Sequence, residues 1–418
     1  MKILLVTVGS AGDVHPFVGL ALRLRQRGHE VRIATNPHFA PLMSRLRLPL
    51  HPLGTVGQFK AAISNPGLWH PIRGFDVIAS LVLDSIAEAY DLVKREAGRG
   101  DTLVVSHPLS FGARVAHDAL AVPLVTLHLA PAAFWSLEAP AVLDMRVGSI
   151  AGWPRIVRRL LLGFADQWAD LKLGPTLNKF RSGLGLAPAR HIASQWWHSP
   201  QRVVGLFPDW YAAPQPDWPP NASLTGFPLY DARSVSDTPP HLDAFLREGG
   251  SAGESPIAFA PGSENSQARP FFAAAADACR RLGRRGILLS RYPEQVPARL
   301  PREVLAAGYA PFSTLLPRVA ALVHHAGIGT SAQALAAGCP QLVLPMGFDQ
   351  PDNAARLVQL GVARAVPPRR VTGARLASEI EQLLGDSAVS LCCAEAERRF
   401  QGDDAIGRTC EIIEECAP

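Results

Sequence analysis

The sequence predicts an α/β protein made of two Rossmann-like domains, each with a doubly wound parallel sheet. Two observations predict this fold class. In each half of the chain, apolar strand patterns end in glycine-rich turns that open a helix, and a polar stretch rich in proline and glycine separates the two series. The length of 418 residues fits two domains of ordinary size.

The first series begins at the N-terminus. An apolar strand runs into the turn Gly9-Ser10-Ala11-Gly12-Asp13, and a helix follows whose first turn is expected to hold Pro16. Gly28 suits the end of that helix. Strands are predicted over residues 2–8, 30–35, 102–106, 123–127 and 202–206. We therefore expect residues 1–232 to form an N-terminal domain.

The second series follows a stretch that contains Pro239-Pro240 and Gly249-Gly250, so residues 233–256 are interpreted as a linker. Strands are predicted over residues 256–260, 286–290, 320–324 and 341–345, with a helical run over 331–337. Residues 257–395 are expected to form a C-terminal domain. Helices are expected from residue 371 onward, and we expect 396–418 to pack back towards the N-terminal domain as a helix.

The composition indicates which binding partners and which cellular compartment to expect. The formal net charge of +5 is too weak for this length to indicate nucleic acid, although it suits anionic ligands or an anionic membrane surface. All six cysteines lie in the second half without metal-type spacing, which indicates reduced thiols in the cytoplasm. The apolar run at the N-terminus is short and Asp13 follows it, so a buried strand is favoured over a signal peptide.

The turn at residues 326–331 is the first candidate binding site. A helix N-terminus offers free backbone N–H groups and a partial positive charge, which suit a diphosphate. Thr330 and Ser331 add hydroxyl groups, and His325 adds a ring donor. Taken alone, the turn is equally well explained as an ordinary strand-to-helix connection with capping hydroxyls.

The surrounding tract resembles the donor-binding signature of family 1 nucleotide-sugar glycosyltransferases. The resemblance is carried by His324-His325-Ala326-Gly327-Ile328-Gly329-Thr330, by Ala337-Gly338-Cys339-Pro340 and by residues 345–354. It implies the GT-B fold, in which two Rossmann-like domains face each other across a cleft. By this resemblance, residues 1–232 form the acceptor-binding domain and residues 257–395 the nucleotide-sugar-binding domain. It also implies a role for each matching residue: Ser263, His325, Gly327, Gly329 and Thr330 bind the donor diphosphate, Tyr309 and Ala310 the nucleobase, and Asp349 and Gln350 the donor sugar.

The N-terminal motif Gly9–Phe17 resembles the first loop of the bacterial lipid and natural-product branch of the same family. Asp13 stands where plant members carry a histidine, and the resemblance implies that Asp13 is the general base for the acceptor hydroxyl. An alternative is that Asp13 is only the N-cap of the first helix. His15 is a second candidate base or an acceptor-side residue, and His107 and His117 receive no role.

Neither a metal nor a cofactor is expected, because the chain has no Asp-x-Asp motif of the metal-dependent glycosyltransferase type. The leaving diphosphate must then be stabilised by the helix N-terminus at Gly327–Thr330, by His325 and by hydroxyl groups.

Residues 195–201 resemble the rhamnosyltransferase branch of rhamnolipid biosynthesis. This resemblance implies inverting transfer of L-rhamnose from dTDP-L-rhamnose to a lipid-like hydroxyl acceptor, a 3-(3-hydroxyalkanoyloxy)alkanoate. All eight tryptophans lie in the first 218 residues, and Trp135 and Trp196 are acceptor-side candidates. Within the family, the alternative is a UDP-glucose-dependent sterol or lipid glucosyltransferase.

Residues 151–190 carry seven Arg or Lys against two Asp, interleaved with leucine and aromatic residues. Such a helix can lie on an anionic membrane, so we expect peripheral contact with the inner membrane. The alternative is an ordinary surface helix whose arginines extend over apolar neighbours.

Other classes of protein fit less well. A dinucleotide-dependent dehydrogenase is disfavoured because Gly9–Asp13 lacks GxGxxG, and a serine hydrolase because GxSxG is absent. A non-catalytic nucleotide-sugar-binding partner subunit is the remaining alternative of another class.

Overall fold

The structure is a computed structural model that describes residues 1–70, 72–97, 100–236, 238–248, 255–367 and 371–417. The chain divides into two units. The first comprises residues 1–142, 147–230 and 404–418, and the second comprises residues 143–146 and 231–403. Each unit contains one parallel sheet with helices between its strands, so the prediction of two Rossmann-like α/β domains is confirmed.

The first unit holds a sheet in the order β3-β2-β1-β4-β5-β6-β7, and all of its strand pairs are parallel. Its strands are β1 (Lys2–Val6), β2 (Glu30–Thr35), β3 (Leu50–Pro52), β4 (Thr102–Ser106), β5 (Leu124–His128), β6 (Arg202–Gly205) and β7 (Ala222–Leu224). Strands β4 and β5 are buried along their whole length, as expected when helices cover both faces of a parallel sheet.

Helices lie between these strands along the chain. In chain order they are α1 (Ala11–Gln26), α2 (Ala40–Leu46), α3 (Val56–Ile63), α4 (Arg73–Asp84), α5 (Ile86–Ala97), α6 (Phe111–Leu120) and α7 (Arg155–Gly183). A core cluster joins the strands to α5, α6 and α7, and it includes Val104, Phe111 and Leu177. The burial of these apolar faces stabilises the first unit.

The second unit holds a parallel sheet in the order β10-β9-β8-β11-β12-β13. Its elements are α8 (Pro240–Arg247), β8 (Ile257–Ala260), α9 (Arg269–Leu282), β9 (Gly286–Leu289), β10 (Val304–Ala307), α10 (Phe312–Leu315), β11 (Ala321–His324), α11 (Ile328–Ala336), β12 (Gln341–Val343), α12 (Gln350–Gln359), β13 (Ala363–Ala365), α13 (Gly373–Gly385) and α14 (Ser387–Arg398).

Both sheets reverse their strand order beside their first strand. In the first unit β1 pairs with β2 on one side and with β4 on the other, and in the second unit β8 pairs with β9 and with β11. Ligands of open α/β sheets bind outside the carboxyl ends of the strands at such a point. The turns that follow β1, β4, β8 and β11 are therefore the places to look for a site.

The chain returns to the first unit at its end. Helix α15 (Ala405–Glu415) packs against α1. Arg27 donates from Nε and Nη2 to the Glu414 carboxylate at 2.8 and 2.6 Å, and His29 Nε2 lies 2.7 Å from the same group. These contacts hold the pKa of Glu414 at about 2, chiefly through the hydrogen bond from Arg27. The returning helix begins at Ala405, whereas the sequence prediction began it at residue 396.

The predicted strands coincide with observed strands within two residues at each end, but three other predictions need correction. Pro16 lies inside α1, because the helix already begins at Ala11. Helix α11 begins at Ile328 and not at residue 331. Part of the expected linker 233–256 is α8, whose Leu242 and Leu246 enter the core of the second unit. Proline in the first turn starts this helix. Residues 237 and 249–254 of the expected linker lie outside the described residues.

A pair of glycine substitutions tests the packing of α6 on α5. A Cβ at Gly112 would lie 2.3 Å from the carbonyl oxygen of Ile86 and 2.8 Å from the backbone nitrogen of Tyr90. Because backbone atoms cannot give way cheaply, we expect Gly112→Ala to destabilise the first unit by about 1–3 kcal/mol. Gly163→Ala in α7 is the matched control. Its Cβ would meet nothing within 4 Å, so stability should rise by about 0.5–1 kcal/mol. Equal denaturation midpoints for both variants would contradict this packing.

Candidate functional site

The turn between β1 and α1 positions Asp13. Ser10 is the N-cap of α1, and its side chain accepts from the backbone N–H of Gly12. Asp13 is the third residue of the helix, and its Oδ2 accepts from the backbone nitrogen of Ser10 at 2.7 Å and from Ser10 Oγ at 3.1 Å. This reciprocal capping box corrects the alternative that Asp13 itself is the N-cap. A Cβ at Gly9 would lie 2.2 Å from Asp13 Oδ2, so only glycine leaves room for the carboxylate.

His107, which received no role from its sequence context, lies beside Asp13. It follows β4 directly, and its backbone nitrogen donates to the carbonyl of Val6 at 2.9 Å. Its Nε2 lies 3.6 Å from Asp13 Oδ1. Burial lowers the pKa of His107, and the Asp13 carboxylate opposes that shift. The parallel pairing of β1 with β4 brings the two residues together, and no local sequence signal could have predicted it.

The acceptor-side candidates have different surroundings. His15 lies on α1 and makes an edge-to-face contact with Tyr230, with 5.7 Å between ring centroids. Trp135 has a left-handed backbone with φ of 52° and packs partly buried against the core of the first unit. Both remain predictions as acceptor contacts.

Trp196 lies beside a network of charged side chains. Its Nε1 donates to Asp118 Oδ2 at 3.1 Å, and the guanidinium groups of Arg114 and Arg181 lie 5.3 and 5.4 Å from its ring centroid. Both arginines also bond Asp118. These contacts give Trp196 a structural role, and its acceptor-side role stays a prediction.

In the second unit, α11 begins without a side-chain cap. Its N-cap is Gly327, and the first intrahelical bond runs from the backbone nitrogen of Ser331 to Gly327 O at 2.9 Å. The N–H groups of Ile328, Gly329 and Thr330 precede that bond, so they have no partner within the helix. Ser331 Oγ donates to Gly327 O at 3.0 Å and is buried, which corrects the expectation that its hydroxyl is available to a ligand.

His325 is held between two glycine backbones. A Cβ at Gly262 would lie 3.3 Å from the His325 ring, and a Cβ at Gly327 would lie 2.5 Å from its Nε2. Burial lowers the pKa of His325 to about 4, and a backbone hydrogen bond with Ala260 opposes this. The imidazole is therefore neutral near pH 7 and offers an anion no full positive charge.

The turn before α11 is fixed by residues that the sequence did not single out. Ala326 has φ of +65°, its carbonyl accepts from Asn353 Nδ2 at 3.0 Å, and its backbone nitrogen donates to His324 Nδ1 at 3.2 Å. Since His324 Nδ1 is an acceptor, its Nε2 carries the proton that is shared with Gln341 Oε1 at 2.9 Å. His324 is thus a structural residue beside the candidate ligand residue His325.

The predicted sugar-binding pair lies at the start of α12. Asp349 Oδ2 accepts from Asn353 Nδ2 at 2.7 Å. Gln350 is buried, and its Oε1 accepts from the backbone nitrogens of Met346 and Gly347 at 2.8 and 3.3 Å. The Gln350 oxygen is therefore used to hold the loop, and its amide nitrogen is the group left to contact a sugar hydroxyl.

The predicted nucleobase segment lies beyond β10. The Tyr309 hydroxyl donates to the carbonyl of Asp231, and the Arg291 guanidinium lies 5.2 Å from the Tyr309 ring centroid. Glu264 Oε1 accepts from Arg291 at 3.2 Å. Ala310 is buried, so only its backbone could face a base, whereas Ser263 after β8 is exposed. The sequence missed Arg291 and Glu264 because they lie on different loops.

No group of three or more His, Cys, Asp or Glu side chains in the described ranges could hold a metal ion. Metal independence stays a prediction. Among the helices described, none is both long and apolar enough to cross a membrane.

Two family models match the chain, one in each half. Residues 3–134 match the glycosyltransferase family 28 N-terminal domain. Residues 288–408 match the erythromycin biosynthesis protein CIII-like C-terminal domain. The first match contains Asp13 and His107, and the second contains His325 and α11.

Known proteins resemble the chain over its whole length. O-mycaminosyltylonolide 6-deoxyallosyltransferase of Streptomyces fradiae is 31% identical over 100% of this chain and 98% of its own. Sterol 3-beta-glucosyltransferase UGT80A2 of Arabidopsis thaliana is 28% identical over 93% of this chain and 62% of its own. The structure of spinosyn rhamnosyltransferase SpnG complexed with thymidine diphosphate is 19% identical, with a TM-score of 0.69 over 98% of this chain and 100% of its own.

The chain belongs to the glycosyltransferases of GT-B fold that include the macrolide and antibiotic glycosyltransferases. It is a nucleotide-sugar-dependent glycosyltransferase. The expected GT-B fold and the expected membership of the glycosyltransferases are thereby confirmed, whereas family 1 and the rhamnolipid branch are narrower assignments.

Buried histidines predict how stability depends on pH. Burial lowers the pKa of His198 to about 4, of His324 to about 3 and of His325 to about 4. Between pH 7.5 and 5 the unfolded chain binds these protons and the folded chain does not, so stability falls as pH falls. Each such histidine lowers the free energy of unfolding by about 2 kcal/mol at pH 5, compared with pH 7.5.

We expect a lower thermal midpoint at pH 5 than at pH 7.5. The variant His198→Gln should show a shallower pH dependence, because one titrating group is lost. His241→Gln, at an exposed position on α8, should behave like the unmodified chain. A midpoint that does not change over this interval would contradict neutral burial of the histidines.

Proposed function

We propose that the chain is an inverting glycosyltransferase that moves L-rhamnose from dTDP-L-rhamnose to the hydroxyl of a 3-(3-hydroxyalkanoyloxy)alkanoate, giving a mono-rhamnolipid. The observation that carries the proposal is the uncapped N-terminus of α11 beside His325, which is neutral and enclosed by glycine. This arrangement suits the diphosphate of a donor and stabilises it as a leaving group. The reaction needs no cofactor and no metal.

Asp13 is the proposed general base. It takes the proton from the acceptor hydroxyl while the oxygen forms its bond to the anomeric carbon. The bond from that carbon to the diphosphate oxygen breaks, and its electron pair leaves with the nucleotide. Attack from the face opposite the nucleotide inverts the anomeric carbon. The Asp13 side chain is 30% exposed, so a substrate hydroxyl has access to it.

On the donor side, the backbone N–H groups of Gly329 and Thr330, the Thr330 hydroxyl and Ser263 are proposed to bind the diphosphate. The Asp349 carboxylate and the Gln350 amide nitrogen are proposed to bind sugar hydroxyls, and Tyr309 with the Ala310 backbone the thymine ring. Asn353 supports this arrangement, because its Nδ2 joins the carboxylate of Asp349 to the turn that holds His325.

The sugar class is supported by two relatives. The Streptomyces fradiae relative is a 6-deoxyallosyltransferase, and the spinosyn enzyme is a rhamnosyltransferase with thymidine diphosphate bound. Both sugars are 6-deoxyhexoses, as L-rhamnose is. The acceptor is supported by the resemblance of residues 195–201 to the rhamnolipid branch.

Two other acceptors are favoured by specific observations. A hydroxylated macrolide-type acceptor is favoured by the 31% identity to the tylonolide enzyme over the whole chain. A sterol, with UDP-glucose as the donor, is favoured by the match to the plant sterol glucosyltransferase. Both share the proposed Asp13 chemistry and differ in the substrates bound.

Helix α7 supports the proposal that the enzyme works in the cytoplasm at the surface of the inner membrane. Four apolar side chains on one side of the helix are strongly exposed: Ile156 at 63%, Leu160 at 67%, Phe164 at 72% and Leu171 at 75%. Their spacing of four, four and seven residues places them on one stripe of the helix. Trp153, just before the helix, is also exposed.

The charges of α7 suit an anionic surface. Asp166 accepts from His191 Nδ1, and Asp170 accepts from the backbone nitrogens of His191 and Ile192. Both carboxylates are therefore used in contacts on the packed side of α7. Arg159 and Lys179 are exposed near the stripe. An apolar stripe flanked by cations is typical of helices that lie in the headgroup region.

A product assay tests the function. The purified protein, without added metal, is offered dTDP-L-rhamnose and UDP-glucose in parallel, each with a 3-hydroxyacyl dimer, a sterol and a macrolide aglycone. We expect mass spectrometry to find a deoxyhexose added to the hydroxyacyl dimer only. Deoxyhexose on the macrolide, or hexose from UDP-glucose, would overturn the substrate assignment and keep the family.

The variant Asp13→Asn separates an enzyme from a binding subunit within the same assay. Because the amide cannot take the proton, we expect turnover to fall by about 10²–10⁴-fold. Affinity for dTDP, measured by calorimetry, should not change. Full turnover in this variant would refute the base role, and no transfer by the unmodified chain with any pairing would favour the non-catalytic partner subunit.

Vesicle co-sedimentation tests the α7 surface. We expect binding to phosphatidylglycerol-containing vesicles and weaker binding to pure phosphatidylcholine. The triple variant Ile156→Ser, Leu160→Ser, Phe164→Ser should bind at least about tenfold more weakly, because three side chains lose the gain from burial in lipid. Leu391→Ser is the matched control at a similarly exposed leucine of the second unit. Equal binding by both variants would refute membrane docking through α7.

A further inference from the structure

The two oxygens of the Asp13 carboxylate have different surroundings. Oδ2 accepts two hydrogen bonds from Ser10, one from its backbone nitrogen and one from its hydroxyl. Oδ1 is the oxygen that faces His107 Nε2, at 3.6 Å. The capping box therefore uses one oxygen to anchor the carboxylate on α1, and the other oxygen is the one directed at the imidazole.

The tautomer of the His107 ring is determined by the hydrogen bond at its other nitrogen, Nδ1. Nδ1 accepts from the backbone N–H of Leu109 at 3.3 Å, so Nδ1 carries no hydrogen and Nε2 carries the ring proton. That N–H points towards Asp13 Oδ1. The ring is buried and lies edge-on to Phe17, with 6.4 Å between centroids. The ionisable groups that interact with the ring are Asp13 and His128, which is the last residue of β5.

We propose that His107 is a positioning residue for Asp13: its Nε2–H orients the carboxylate, so that the remaining lone pair of Oδ1 receives the acceptor proton. This inference rests on the proposed function of Asp13. The distance of 3.6 Å exceeds that of a hydrogen bond, and a shift of about 0.5 Å would form one. Contacts of this kind commonly tighten when substrate binds.

His107 does not relay the proton. A second ring proton would have to sit on Nδ1, where the Leu109 N–H already points. In the proposed step the acceptor O–H bond breaks and its proton goes to Asp13. His107 neither gains nor loses a proton, and Asp13 releases the proton to water after the product leaves.

Two substitutions of His107 distinguish a role in positioning Asp13 from a role in packing. Gln can place an N–H near the position of Nε2, whereas Leu fills the space without a donor. With whichever donor and acceptor the chain uses, we expect His107→Leu to lower kcat by about 10²-fold at nearly unchanged donor KM. His107→Gln should restore most of kcat.

A titration provides a readout that does not need turnover. The carboxylate of Asp13 raises the pKa of His107 against the lowering by burial. We therefore expect the His107 imidazole, followed by NMR, to titrate at lower pH in Asp13→Asn than in the unmodified chain. An unchanged titration would overturn the coupling of the two residues.

The outcomes distinguish this inference from the proposed function. If Asp13→Asn is inactive while His107→Leu keeps full activity, the base role stands and the positioning role is wrong. Equal losses in the Leu and Gln variants would mean that His107 only packs. If Asp13→Asn stays fully active, the proposed function of Asp13 fails, and the inference fails with it.

Discussion

Two parallel strand pairs determine where the candidate residues lie. These are β1 with β4 in the first sheet and β8 with β11 in the second, and each pair lies at the point where the strand order reverses. Val6 of β1 is in register with Ser106 of β4, so the next residues along both chains meet at the sheet edge, and there His107 approaches Asp13. In the second unit Ala260 of β8 is in register with His324 of β11, and the Gly262 backbone packs on His325. A shift in either register would separate these pairs, because neighbouring strands fix each other's ends.

The two glycine-rich turns look alike in sequence, but they treat the helix N-terminus differently. The N-terminus of α1 is capped by Ser10 and has the carboxylate of Asp13 in its first turn, so a negative charge from the chain itself already meets the helix dipole. The N-terminus of α11 has glycine at the cap and no acidic residue in its first turn. Its N–H groups are therefore available to an external anion. This difference supports a donor diphosphate in the second unit and a proton-accepting role in the first.

The sequence predicted what is local and missed what depends on contacts between distant segments. Strands, glycine-rich turns, Asp13 and His325 belong to continuous patterns, and the structure places each of them at the carboxyl end of a strand. His107 could not be predicted, because its importance comes from the pairing of β1 with β4. The structural contacts of Trp196 could not be predicted for a related reason: Arg114, Asp118 and Arg181 lie far from it along the chain, yet together they contact its N–H and its ring.

The donor side must stabilise negative charge without a cationic histidine. His324 is buried and the adjacent His325 is partly buried, and the pKa of His324 is lowered first by burial and then by His325. Two neighbouring imidazolium ions would each have to lose hydration and repel each other, so both rings stay neutral. What remains to meet a diphosphate is a set of fixed dipoles: the backbone N–H groups of α11 and the Thr330 hydroxyl, beside the neutral ring of His325. Fixed dipoles need no reorientation as charge builds on a leaving group, which is the condition under which they lower a barrier most.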